Sequence, residues 1–134
     1  MPGATTKFAL NHIDDLAHSG VKYVFIFTGI NDALQGNTDF QSDLTRMAIS
    51  CHLNGTEFVI LDQTICQSKV VAPFSFFQFQ LSMCNQIMQN IPYSTYLPIS
   101  YSDSDFIDQV HLGPTGFQKV VDAIHAHYTD VLMQ

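Results

Sequence analysis

The run "VKYVFIF", residues 21–27, constrains the fold more than any other feature of the chain. Every residue in it except Lys22 is β-branched or aromatic, and no polar residue alternates with the apolar ones to give a wet face. A strand of this composition is covered on both sides, the situation of strands in a parallel sheet. "EFVILD", residues 57–62, has the same character and predicts a second buried strand.

Helical spacing surrounds both strands. Residues 5–18 place Ala9, Ile13, Leu16 and Ala17 on one face, with Thr5 or Thr6 as the cap and Ser19-Gly20 as the stop. A second helix opens at Thr38 or Asp39, turns Phe40, Leu44, Met47, Ala48 and Cys51 inward, and closes at Asn54-Gly55. A third follows Pro73, with Phe77, Leu81, Cys84, Met88 and Ile91 on its apolar side. Residues 92–110 read as loop, with a short extended piece at 96–99. The last helix begins near Pro114, a favourable first-turn position, and directs Phe117, Val120, Val121, Ile124, Tyr128 and Val131 inward. Such alternation predicts one α/β domain over residues 1–134, a three-layer parallel sheet flanked by helices and joined by right-handed crossovers.

Composition narrows the partners. With 134 residues, 46% hydrophobic and 13% charged, the chain can build one core and is not of disordered type. A net charge of −7 with five Lys+Arg argues against nucleic acid, which needs a basic surface. No apolar run approaches the ~20 residues of a membrane-spanning helix, and "MPGATTKFAL" lacks the basic leader and apolar core of a signal peptide. Cys51, Cys66 and Cys84 lack metal-ligand spacing and read as buried free thiols.

Two short stretches carry polar groups where chemistry is plausible. "GIND", residues 29–32, ends the first strand, and the carboxyl ends of strands are where α/β proteins keep their ligands. "DQVHLGPTG", residues 108–116, sets Asp108 three residues before His111, just ahead of a helix. At that spacing the carboxylate can accept a hydrogen bond from the imidazole Nδ1–H, which fixes the tautomer and leaves Nε2 to take a proton. In isolation a D-x-x-H pattern is as well read as loop decoration.

Taken in order, "PGATT", "GIND" and "DxxHLGPTG" resemble three of the four sequence blocks of the SGNH, or GDSL-type, serine hydrolases. The resemblance runs from residue 2 to about 125. It implies a flavodoxin-like sheet of strand order 2-1-3-4-5 and hydrolysis of a small-molecule acyl ester without metal or organic cofactor. It also implies roles by position: His111 as general base, Asp108 as its orienting acid, and Gly3 (backbone N–H) with Asn31 (carboxamide) as oxyanion-hole donors. Gly29 would turn the strand, and Asp32 would hold the loop through local Asx-type bonds.

The chain departs from that pattern at its start. The G-D-S block with the nucleophilic serine is not found, and neither Ser19, Ser50, Cys51, Thr5 nor Thr6 is a credible substitute. A base without a nucleophile cannot run the acyl-enzyme route. The first two strands of the family sheet are then missing as well, so "VKYVFIF" becomes an edge strand with an interior composition. Two partners follow as expectations: a complementing N-terminal segment or a further copy of the chain. The alternative function is a non-catalytic interaction module that keeps the base and oxyanion shell and docks through its strand edge.

Weaker signals have plainer readings. Asp14, Asp15 and His18 read as a solvated helix face, and His125 and His127 point to different sides of theirs. The aromatic run "FSFFQFQ", residues 74–80, reads as core with a partly exposed face. "YSDSDF", residues 101–106, is either a solvated acidic loop or part of the substrate mouth.

Overall fold

A computed structural model of the protein describes residues 6–28, 32, 38–64, 78–108 and 110–129. Within them run α1 (Thr6–His18), β1 (Tyr23–Ile26), α2 (Phe40–Leu53), β2 (Glu57–Leu61), α3 (Gln78–Met88), β3 (Ser94–Leu97) and α4 (Pro114–His127). The three strands are parallel in the order β1-β2-β3, with Phe25 opposite Val59 and Ile60 opposite Tyr96. The predicted α/β class, the parallel sheet and the flanking helices are all present.

Strand alternation sorts the core into two halves. Phe58 and Ile60 point to one face, where Val24 and Ile26 join them against Leu44, Met47 and Ala48 of α2, Ile13 and Ala17 of α1, and Leu81, Cys84 and Met88 of α3. Val59, Leu61 and Leu97 point to the other, under Val120, Ala123 and Ile124 of α4 and Tyr128 beyond its end. β2 is sealed on both faces, as its composition requires. Gly20 and Gly55 end α1 and α2 at φ +80° and +72°, the left-handed conformation that stops a helix at least cost.

Several expectations need correction. β1 spans four residues rather than seven, and only Ile26 in it is buried; the strand stands at the edge of the described sheet. The extended piece predicted at 96–99 lies two residues earlier and is a full third strand paired with β2. Leu16, Phe117 and Val121, predicted inward, are exposed. The inward stripe of α4 is therefore narrower than its sequence pattern, and runs through Val120 and Ile124. Phe77, Val131 and Cys66 lie outside the described residues. Cys51 and Cys84 are free and buried, and burial, seconded by Asp14 and Asp32 respectively, pushes both thiols up to about 11. Among the described residues no helix is long and apolar enough to cross a membrane.

Candidate functional site

In a parallel sheet all strands end on one rim. Here that rim carries Phe27 and Thr28 after β1, Asp62 after β2, and the segment 98–113 that leaves β3 for α4. Asp62, the acid that closes "EFVILD", ties this rim together. Its carboxylate accepts the Tyr96 hydroxyl at 2.5 Å, and its carbonyl accepts the Tyr101 hydroxyl at 3.0 Å. Burial and the Asp62 carboxylate push both phenols well above their ordinary range, so both stay protonated donors. Sequence reasoning overlooked Asp62, although a charged residue closing a buried strand is a signal that can be read.

The segment that bears Asp108 and His111 is clamped by its own residues. Phe106 and Leu112 form an antiparallel bridge and are both buried, while the Ile107 N–H donates to the His111 carbonyl at 2.9 Å. Asp105 anchors one end. Its buried carboxylate accepts the Ser102 N–H at 2.8 Å and the Lys119 ammonium of α4 at 2.5 Å, and its carbonyl accepts the Gly113 N–H at 2.7 Å. The Lys119 contact, followed by the Ser102 N–H bond, lowers the Asp105 carboxyl to about 2. "YSDSDF" thus contains a buried anchor rather than a uniformly solvated acidic loop.

Gly116 has a steric role in the same clamp. A Cβ there would stand 2.6 Å from the Asp105 carbonyl oxygen and 2.7 Å from Leu112 Cδ2. The glycine of "LGPTG" lets the first turn of α4 lie directly on the clamped segment.

On this platform Asp108 and His111 meet as their spacing predicts. His111 Nδ1 stands 2.7 Å from Asp108 Oδ2, and Asp108 Oδ1 accepts the backbone N–H of His111 at 2.7 Å and of Val110 at 2.9 Å. Those two backbone donors, then the imidazole, lower the Asp108 carboxyl to about 2, so it is an anion and hence an acceptor at neutral pH. With Nδ1 engaged by a carboxylate, the tautomer that leaves Nε2 as a proton acceptor is favoured. The His111 side chain is 71% exposed and that of Asp108 50%. Among the described residues no Ser, Thr or Cys side chain is hydrogen-bonded to His111.

Asp32 does more than hold its own loop. Its buried carboxylate receives the Thr6 backbone N–H on both oxygens at 3.1 Å, the Thr6 hydroxyl at 2.8 Å and the Thr28 hydroxyl at 3.3 Å. Thr6 is the first residue of α1, so the helix is capped from across the chain by Asp32, where its dipole favours a negative charge. The contact fastens the stretch after β1 to the start of α1, the two places where the oxyanion donors were expected. Gly3, Gly29 and Asn31 themselves lie outside the described residues.

The remaining polar residues form no second centre. Asp14, on α1, receives the Ser50 hydroxyl from α2, and no group of three or more His, Cys, Asp or Glu that could hold a metal occurs among the described residues.

Neither a protein-family model nor a curated protein sequence matches the chain. Solved structures do. A catalytic mutant of Axe2, an acetylxylan esterase from Geobacillus stearothermophilus, superposes with TM-score 0.71 at 12% identity. LAE5, an alpha/beta hydrolase enzyme from the metagenome of Lake Arreo, Spain, does so with TM-score 0.69 at 16% identity. A second Axe2 mutant, described as an acetyl-xylooligosaccharide esterase, gives 0.71 at 13%. Each match covers 92% of this chain and 67% of the solved one. The chain has the fold of these hydrolases, and the resemblance read from its motifs holds at that level.

Proposed function

We propose that this chain is the base-bearing part of a serine-type carboxylic ester hydrolase. The supporting observation is a solvent-facing imidazole steered by a carboxylate at the carboxyl rim of an esterase-type sheet, with His111 Nδ1 at 2.7 Å from Asp108 Oδ2. The serine comes from a segment outside these 134 residues. Its hydroxyl oxygen attacks the ester carbonyl carbon while His111 Nε2 takes the proton, and Asp108 stabilises the imidazolium so formed. The Gly3 N–H and the Asn31 carboxamide stabilise the charge on the carbonyl oxygen; removing one such donor typically costs ~10²–10³ in rate. Collapse expels the alcohol, which receives the proton from His111, and water then releases the acid by the same exchange. The matched structures favour acetyl esters of a carbohydrate as the substrate class.

The test is turnover of 4-nitrophenyl acetate. The 134-residue chain alone gives no burst. Together with a segment that supplies the serine it gives a burst of nitrophenolate and steady turnover, and His111→Ala removes both. A folded complex with no turnover overturns the reading. It would favour instead an interaction module, which the lack of any described hydroxyl or thiol on His111 also supports.

A further inference from the structure

We infer that the outer edge of β1 and the adjoining flank of α4 form the seat of a strand–helix segment from outside these 134 residues. The strand adds to β1 and the helix lies beside α4. The inference rests on the esterase reading only for what the docked segment carries; the surface itself follows from packing.

The layers do not match in width. Packed helices lie ~8–10 Å apart and paired strands ~4.7–4.9 Å apart, so one helix covers about two strands. On one face α1, α2 and α3 stand over three strands, and α1 packs chiefly on α2. On the other face α4 buries Val59, Leu61 and Leu97 of β2 and β3, but not the neighbouring side chains of β1. Phe25 is half-buried there, and Phe27, two residues on and on the same side, is 45% exposed.

The open ground continues onto α4. Phe117 and Val121 are 58% and 42% exposed. With Ile124 and Tyr128 they recur at i, i+4, i+7 and i+11, one stripe along a helix. Tyr128 closes the stripe with its ring edge-on to Phe25, 5.5 Å between centroids, so the stripe faces the β1 side. A helix beside α4 would cover Phe27, Phe117 and Val121 together, and a strand outside β1 would give it a floor.

The two sheet edges differ in kind. β3 is "STYL", with hydroxyl residues suited to an outer strand, whereas β1 is "YVFI", an interior composition placed at an edge. The occupant is therefore a strand apolar on both faces followed or preceded by an amphipathic helix. A second copy fits less well, because it would set a net charge of −7 against another −7. A segment fits the length difference: about a third of each matched hydrolase chain has no counterpart here.

The probe is the portion of the LAE5 chain outside the match, made as a separate polypeptide and titrated into the 134-residue chain. Saturable binding is expected, with at least ~10-fold slower amide hydrogen exchange at residues 24–27. Phe117→Asp with Val121→Asp should weaken binding at least ~10-fold, and Leu53→Asp, an exposed position on α2, should leave it unchanged. Circular dichroism checks that the variants are folded, and Val121→Asp alone replaces the pair if the pair is not.

Absence of binding overturns the proposal, and so does binding that ignores Phe117 and Val121. Slow exchange at residues 24–27 in the chain alone also overturns it: in a monomer this chain covers its own edge, and in a dimer on light scattering a second copy does. The two readings fail separately. Docking without nitrophenyl acetate turnover leaves the surface standing and sinks the esterase reading. Turnover undiminished by the Phe117 and Val121 changes sinks the surface and spares the esterase.

Discussion

The two flanks of the carboxyl rim are built to different degrees of completion. On the flank of β3 and α4, the segment carrying Asp108 and His111 is held by Asp105, Lys119, Gly116 and the Phe106–Leu112 bridge, all from within twenty residues of sequence. On the flank of β1, the strand pairs on one side within the described sheet and its side chains stay half open. The base is thus supported by local contacts, whereas the opposite flank has the composition of an interior and the exposure of a border. Positioning a proton acceptor and supplying the atom it serves are separable tasks in this fold.

Activity gives the largest contrast. In the chain complemented with a serine-bearing segment, His111→Ala should lower kcat/KM by ~10²–10⁴, the usual range for removing a general base. Folding of the variant should be intact, because the imidazole is solvent-facing and the clamp does not depend on it. A loss below tenfold would detach the base role from this flank.

Core truncations sharpen the same comparison in stability. Phe58 is fully buried in β2, so Phe58→Ala should cost about 3–5 kcal/mol in denaturant unfolding. Phe25, its counterpart on half-open β1, should cost roughly 2 kcal/mol or less, since less apolar surface leaves water on folding. Equal costs would mean that β1 is covered after all. Gly116→Ala lies between them. Alanine improves helix propensity, but its Cβ meets the Asp105 carbonyl oxygen at 2.6 Å, a backbone atom with little room to yield. A net loss of about 1–3 kcal/mol is expected.

The sequence disclosed the finished parts of the molecule better than the open ones. Phe58, Leu44, Met47 and Cys51 were readable because a buried strand and a helix stripe each repeat on a fixed period. The Asp108–His111 contact was readable because three residues at a turn leave the side chains few ways to miss each other. The exposure of Phe117 and Val121 was not, since an apolar stripe records what a face is suited to touch and not whether the partner is there. The tie between Asp32 and Thr6 was also hidden. It spans 26 residues, and no local pattern specifies which helix end a distant carboxylate will cap.

The smallest expected effect is the response of the closed flank to acid. Asp108 and Asp105 both titrate at about 2, below the ~3.9 of an unfolded aspartate. Depressed carboxyl groups stabilise the folded state in full above the unfolded value and lose that contribution as pH falls through the folded one. Between pH 6 and 4 the segment 105–113 should therefore be unchanged. Between pH 4 and 2 the amide signals of Val110 and His111, which donate to Asp108, should shift together and exchange faster. The amides of β2 should hold until global unfolding. Asp108→Asn should remove the Asp108 part of this transition while leaving the Asp105 part. A transition already complete at pH 4, or one that Asp108→Asn leaves untouched, would mean that the carboxylate does not hold the imidazole's loop, and the closed flank would lose its claim to be preorganised.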